Sequence, residues 1–398
     1  MAVRAHDVIV IGLGAMGSAC LRALARAGLR VLGIDCYTPP HAHGSTHGET
    51  RATRLAVGEG DVYVPLVQRS HAIWRELENR IGERLLEECG FLTIDTSRGG
   101  GELHGMGGFF DRTAAIAQRH GIRHEFLDGR AIRERFPAFA PPDDARGYFE
   151  PGGGFVHVES ALGALLADAA ADGAQVHTGE TFPGFSDDGG GITVRTDRAV
   201  YSAHTLVMTA GPWLPQLLGS ALAPVRLFPQ QLHWLEPSTA DAFARDRCPV
   251  YLWLHGEGPD DIFYGFPQIG AAREIKVATE QSRKQDSNAD TPARCDAASR
   301  DVLIDTHLAG RLAGTMRGLR SAGCRYSVSP DGHFVIDRLP DARRVIAVSA
   351  CSGHGFKHAP AIGELVADMV QSGGPTLPEF AIDRPALTDG WRNRESQK

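Results

Sequence analysis

Two rhythms of apolar and polar positions run through this chain. Val8 to Ile11 is a continuous apolar run of strand length, β-branched and closed by glycine. A helical stretch follows from Ser18 to Ala27, and a second buried strand from Val31 to Asp35. Tyr63 to Arg80 carries Val67, Ile73, Trp74 and Leu77 at helical spacing. Gly90 to Asp95 reads as a strand, and Phe109–Arg119 and Gly129–Arg135 as short helices. Gly147 to Val156 reads as strand, turn, strand. An alanine-rich helix from Glu159 to Asp172 and a strand through Val176 follow. That strand–helix–strand order predicts a βαβ unit rejoining the first strands.

Further on, Gly191 to Ser202 predicts a hairpin arm. Thr205 to Met208 predicts a buried strand turning at Ala210, Gly211 and Trp213. From Pro224 to about Gly270 the chain is strand-like and aromatic, as in a mostly antiparallel sheet around a cavity. Gln281 to Pro292 is polar and aperiodic, a surface loop. Ala298 to Leu319 reads as helical, Arg325 to Asp337 as strand, turn, strand, and Val345 to Ala350 as a buried strand. Ala361 to Gln371 reads as a helix.

With 398 residues the chain can bury a large core in two domains or one interleaved unit. A net charge of −7 gives no reason to expect nucleic acid or an anionic membrane as partner. Met1 to His6 is too short and polar for a signal peptide, and no run reaches the length of a membrane span. The seven cysteines are scattered, odd in number and never in CxxC, which points to a reducing cytoplasm.

The first strand runs into Gly12-Leu13-Gly14-Ala15-Met16-Gly17 and then a helix. Gly12 allows a tight turn, Gly14 lets a pyrophosphate approach the backbone, and Gly17 lets helix and strand pack closely. The helix start offers free N–H groups to phosphate, and Asp35 closes the second strand as a ribose acceptor. Cys351 to Lys357 makes a third glycine-rich strand-to-helix junction, after those at Gly12 and Gly211. All three could surround one dinucleotide.

The loop His41 to Arg54 lies beyond the carboxyl end of a nucleotide-binding strand, where ligands bind in open sheets. His41, His43 and His47 have no accompanying ligand cluster, so loop or cofactor contacts are favoured over a metal. Arg51 and Arg54 would share a face if a helix began here, and could then address one anion. Two solvated arginines are the alternative. Lys276, between apolar neighbours on a strand, faces either solvent or the cavity.

These residues carry a resemblance. GLGAMGSA, IDCYTPPHAHGSTHGETRATR, YGFP at Tyr264–Pro267, CRYSVSPDGHFVID from Cys324, SGHGFKHAPAIGE from Ser352 and DRPAL from Asp383 span nearly the whole chain. The chain resembles the sarcosine oxidase and N-methyl-amino-acid oxidase family, within the D-amino acid oxidase-like flavoproteins. The resemblance implies an α/β chain with a Rossmann-type FAD-binding domain of discontinuous segments, residues 1–85, 147–215 and 320–385. Over it would lie a mixed-sheet substrate domain, residues 86–146 and 216–319, with a tail from 386 to 398.

Carried over residue by residue, Cys324 falls where the family links FAD covalently. Arg54 and Lys357 fall on the clamp for the substrate carboxylate, Tyr264 on a pocket tyrosine and Lys276 on the lysine that activates oxygen. Arg51 falls near the flavin ring, with His47 and Thr50 in the same loop and Gly353, His354 and Gly355 in the junction beside it. Val176, Ala210, Gly211 and Trp213 complete the expected cofactor set. Sarcosine-oxidising members carry histidine where this chain has Glu280, which argues against sarcosine as the preferred substrate. The implied reaction is oxidation of a secondary amine or N-methyl amino acid. Hydride passes to the flavin, the imine hydrolyses, and oxygen is reduced to hydrogen peroxide by a monomer. The alternatives are an amino acid dehydrogenase using another acceptor and a flavin-binding subunit without turnover.

Overall fold

The computed structural model describes residues 4–391 apart from 283, 287, 292 and 294. Among these residues the strands form three sheets. The centre of the first is parallel. Arg4–Ile11 lies between Val31–Asp35 and Val200–Met208, with Gln175–Thr178 and Ala342–Ser349 flanking them in parallel. Strands covered on both faces need continuous apolar sequence. Val8, Ile9, Val10 and Leu32 are accordingly inaccessible to solvent. Helix Ala15–Arg26 packs against both Val158–Ala171 and Ala359–Ser372, and Leu21, Leu24, Ile362 and Val366 close a core against Val8 and Ile346.

The second sheet runs, in spatial order, through residues 316–328, 226–237, 275–278, 262–266, 250–254, 91–95, 146–150 and 125–128. Its one parallel pair is Val250–Leu254 with Phe91–Asp95. Thr50–Thr53, Gly154–His157 and Leu86–Glu87 form a small third sheet.

Several expectations change. Helix is confined to Ala297–Val302 and a wide turn over Leu303–Leu308, and Met316–Val328 is a long strand. Gly310 and Gly314 turn the backbone at positive φ, and pairing along the length of Arg226–Pro237 overrides the helical spacing beyond them. The expected βαβ unit is not closed within one sheet. Gly154–His157 joins the third sheet, and only Gln175–Thr178 returns beside Val31–Asp35. The segments beginning at 147 and 320 each open with strand that pairs into the second sheet. Arg51 stands on a strand, not a helix, so its spacing from Arg54 confers no shared face. Three positions of the expected 281–292 loop and residues 392–398 of the expected tail lie outside the described residues.

Candidate active site

All three glycine junctions open on one cavity of about 550 Å³. Gly12, Gly14, Ala210, Gly211, Trp213, Gly353 and Gly355 line it, with Asp35 at the end of the second strand. Gly12 holds φ +88°, and a Cβ there would lie 2.7 Å from the Ala210 Cα. Gly17 does not line the cavity. A Cβ on it would sit 1.8 Å from the Gly12 carbonyl oxygen, so it sets how closely the helix approaches the turn. The Thr209 hydroxyl donates to the carbonyls of Ile11 and Gly12 at 2.9 and 2.7 Å, tying the first two junctions together.

The Asp35 carboxylate accepts from the Leu13 and Tyr37 N–H groups at 2.7 and 2.8 Å. Burial alone would raise its pKa. The His41 ring and the two backbone donors reverse that and hold it low. A helix N-terminus, glycine-walled turns and a fixed carboxylate in one cavity are what a dinucleotide such as FAD requires. Val176 departs from the expected set. It is 37% exposed on an edge strand and does not line the cavity.

The other end of the cavity is made of charged side chains. Arg51 is fixed by its donation to the carbonyls of Ser45 and Thr50 at 2.8 and 3.0 Å. Its Nη2 lies 3.8 Å from the Cys324 sulfur, which is itself buried just behind the lining. Lys276 faces inward, not to solvent. Its Nζ donates to the Gly48 and Thr50 carbonyls at 2.8 and 2.6 Å and lies 4.2 Å from the Phe266 ring centre. Burial drives its pKa well below the usual lysine value, and Arg51 adds to the effect. Thr50 also lines the cavity. His47 is buried in the same loop outside the lining, and burial lowers its pKa to about 4, so its ring is neutral. His43 stacks on Tyr37 at 3.9 Å.

Arg54 donates from Nη2 to both oxygens of Glu59 at 2.7 Å, while its buried Nε has no partner among the described residues. Its guanidinium lies between the Phe91 and Phe109 rings. Glu59 also accepts from His104 Nδ1 at 2.9 Å. Burial opposes the Glu59 charge, but Arg54 and its other cationic neighbours hold its pKa well below the usual range. Lys357 donates to the His354 carbonyl at 2.7 Å. Burial lowers its pKa to about 7, with Glu59 pulling the other way. His354 packs on the Phe334 ring at 4.7 Å, and burial keeps it neutral. The Tyr264 and Tyr326 hydroxyls are 3.3 Å apart, and Glu280 lines the same wall.

The structure therefore gathers Arg51, Arg54, Tyr264, Lys276, Glu280, His354 and Lys357 around one cavity. Sequence reasoning missed Glu59 and His104. Glu59 had a signal, an acid between Gly58 and Gly60 just beyond the arginine pair. His104 had none beyond its glycine-rich surroundings.

Residues 7–369 match the family model described as FAD dependent oxidoreductase, DAO. The chain is 35% identical over 391 residues to monomeric sarcosine oxidase of Streptomyces avermitilis, covering 95% of this chain and 97% of that protein. It is 35% identical over 387 residues to N-methyl-L-tryptophan oxidase of Yersinia pestis, covering 96% and 97%. NikD, an unusual amino acid oxidase essential for nikkomycin biosynthesis, superposes with a TM-score of 0.82 at 24% identity, over 95% of this chain and 98% of its own. Glycine oxidase from Geobacillus kaustophilus superposes at 0.75 and 19%, over 96% and 99%. These two likenesses establish the fold. From these sequence matches, the chain belongs to the family of FAD-dependent oxidoreductases, in the branch that holds monomeric sarcosine oxidase and N-methyl-L-tryptophan oxidase.

Proposed function

We propose that this protein oxidises a secondary amine of a small amino acid, N-methylated or otherwise N-substituted. Oxygen is the electron acceptor and hydrogen peroxide the product. One observation carries the reading: Arg54 and Lys357, from opposite ends of the chain, meet around Glu59 on the wall of the cavity that the glycine junctions open on. The unpartnered Arg54 Nε and the Lys357 ammonium suit a carboxylate, which accepts from a guanidinium fork and a point charge together.

Bound FAD supplies the two-electron acceptor. The protein holds the substrate by its acid end, so that one C–H bond is presented in a fixed orientation. The helix Ala359–Ser372 starts two residues after Lys357 and adds its positive end to that side of the cavity. The substrate amine reacts uncharged, and the buried, neutral His354 ring adds no positive charge against it. Lys276, fixed by two carbonyls and beside the Arg51 cation, is assigned to the oxygen step, where its N–H donors and the adjacent guanidinium stabilise developing negative charge. Cys324, beside Arg51 and Ser45, is assigned to covalent attachment of the cofactor. The nucleotide-binding unit is placed on the first sheet and the substrate unit on the second.

The seven free cysteines, one of them exposed, suit a reducing compartment, and the cytoplasm is the proposed location. Among the described residues no helix is long and apolar enough to cross a membrane. The working unit is proposed to be a monomer.

The test is direct. The purified protein is mixed with N-methyl amino acids, imino acids and primary amino acids, first without oxygen and then in air. The reading expects bleaching of the yellow colour by a secondary amine, then peroxide release in air. Absence of bleaching by any amine carboxylate refutes it. Colour that stays with the acid-precipitated protein supports the Cys324 attachment, and complete release refutes that part alone.

A further inference from the structure

Gly48, Glu49 and Thr50 make a backbone turn that neither the nucleotide junctions nor the carboxylate clamp explain. Gly48 and Glu49 hold φ +95° and +70° in succession. At Gly48 a Cβ would meet the Leu232 side chain at 2.7 Å. Glu49 carries a side chain, and the left-handed conformation costs it energy. The Thr50 N–H closes the turn on the Gly48 carbonyl at 2.8 Å. A turn under this strain needs a partner outside itself to hold it.

That partner is Glu159. Strand Gly154–His157 pairs with Thr50–Thr53, with His157 opposite Thr50, and it runs straight into helix Val158–Ala171. The first turn of the helix therefore stands beside the 48–50 turn. From there the Glu159 carboxylate accepts the Gly48 N–H at 2.8 Å and the Glu49 N–H at 3.1 and 3.2 Å. Two successive N–H groups converging on one anion make an anion-binding nest. The Val158 N–H donates to the Glu49 carbonyl at 2.9 Å and anchors the next peptide. The Glu49 side chain fastens the turn to the second sheet, accepting from Trp234 Nε1 at 2.9 Å and Arg320 Nη2 at 2.6 Å.

The same turn presents two carbonyls to the cavity side. Those of Gly48 and Thr50 are the two acceptors that fix Lys276 Nζ, and the Thr50 carbonyl also accepts from Arg51 Nη1. Thr50, Arg51 and Lys276 line the cavity, whereas Glu49 and Glu159 stand behind its wall. A carboxylate outside the cavity thus sets the acceptors for two basic groups inside it. Bonds to carbonyl oxygen favour the protonated amine, and the Glu49 and Glu159 charges act in the same direction against burial.

We propose that Glu159 is a positioning residue for the oxygen step: it holds the 48–50 turn in the shape that places Lys276 and Arg51 where oxygen is reduced. The inference rests on the assignment of Lys276 to that step. Oxygen takes two electrons from the reduced cofactor and two protons from the cofactor and solvent, and leaves as hydrogen peroxide. Negative charge grows on it as the electrons arrive, so the placement of the N–H donors sets the rate. Ferricenium, a one-electron acceptor, becomes neutral on reduction and makes no such demand.

The test uses the holoenzyme, reduced by light with EDTA and reoxidised by oxygen or by ferricenium. In Glu159→Gln the oxygen rate is expected to fall tenfold or more, and the ferricenium rate to stay within twofold. Lys276→Met should also slow the oxygen rate. Adding Glu159→Gln to it should cost less than a further twofold, because both changes act through one group. Amide hydrogen exchange supplies a readout apart from turnover: exchange at Gly48 and Glu49 is expected to quicken at least tenfold in Glu159→Gln. Equal slowing with both acceptors overturns the inference and leaves Lys276 in its role. So does a loss that multiplies in the Lys276→Met background, unchanged exchange, or loss of the flavin or the fold. If Lys276→Met leaves the oxygen rate unchanged, the assignment of Lys276 fails and the inference falls with it.

Discussion

At the nucleotide end of the cavity the walls are backbone. Three turns bring glycine Cα atoms and peptide N–H groups to the surface, and the Asp35 carboxylate beside them is held by the Leu13 and Tyr37 N–H groups. At the amine end the walls are side chains in ion pairs and carbonyl contacts, drawn from residues 51–54, 104, 264–280 and 354–357. At the first end an added Cβ on Gly12, Gly17 or Gly355 would strike backbone. The second has room for substitution but depends on which groups are ionised. The two lysines sharpen the contrast within the amine end. Lys276 is satisfied by two carbonyls and lies beside a second cation, Arg51. Lys357 has one carbonyl and an anion, Glu59; burial loosens its proton, Glu59 partly offsets that, and the pKa stands at about 7.

The strongest way to break the comparison is at the nucleotide end. Gly17→Ala places a Cβ 1.8 Å from the Gly12 oxygen, a backbone atom that cannot rotate away. The turn or the helix must shift, at a cost of about 3 kcal/mol or more. The expected protein is largely colourless with a lowered Tm, measured by the ratio of flavin to protein absorbance and by thermal unfolding. Full flavin content in this variant contradicts the account of a turn defined by its backbone.

Next in size is Arg54→Ala. It removes the cation from a buried pair and leaves the buried Glu59 charge without its arginine. kcat/KM for the best substrate should fall about a hundredfold, in line with the loss of a charge-assisted hydrogen bond of about 3 kcal/mol, while flavin content stays normal. Arg54→Lys keeps the charge but not the fork and should recover part of the loss. If flavin content falls instead, the two ends are not separable.

This contrast also accounts for what could be read from the sequence. The glycine turns are local: Gly12, Gly14 and Gly17 lie within six residues, and their steric demand is the same in any chain that makes this turn. Their strands were equally legible, because burial on both faces forces a continuous apolar run. The amine end is non-local. Glu59 meets His104 through a loop whose composition says only that it bends. The side of the strand on which Lys276 lies depends on pairing with residues 233–235 and 264–266. The long strand from Met316 was missed for the same reason, since its partner lies about ninety residues earlier.

A smaller effect concerns pH. Lys357 has a folded pKa of about 7 against an ordinary 10.5. Between those values the unfolded chain binds more protons than the folded one, so this group makes stability rise with pH through that window. Carboxylate binding works in the other direction. It favours the ammonium, so above pH 7 the complex must take up a proton. Kd for a non-reacting carboxylate such as propanoate should be flat below pH 6 and rise toward tenfold per unit above pH 7. In Lys357→Met the rise should vanish. A slope that persists in the variant assigns the titration to another group.

The smallest expected change is Tyr264→Phe. The two phenol oxygens are 3.3 Å apart, longer than a good hydroxyl hydrogen bond, and both groups are uncharged. Losing one neutral, stretched bond costs about 0.5 kcal/mol, and the ring that fills the wall remains. kcat/KM should therefore change by less than about threefold, and the unfolding temperature by a degree or two at most. The comparison predicts this inequality: at the amine end, formal charges set the energy scale and neutral contacts adjust it. Steady-state assays on the variant decide the matter. A loss approaching that of Arg54→Ala gives the Tyr264 hydroxyl a direct bond to the reacting molecule, and the division between charged and neutral positions has to be redrawn.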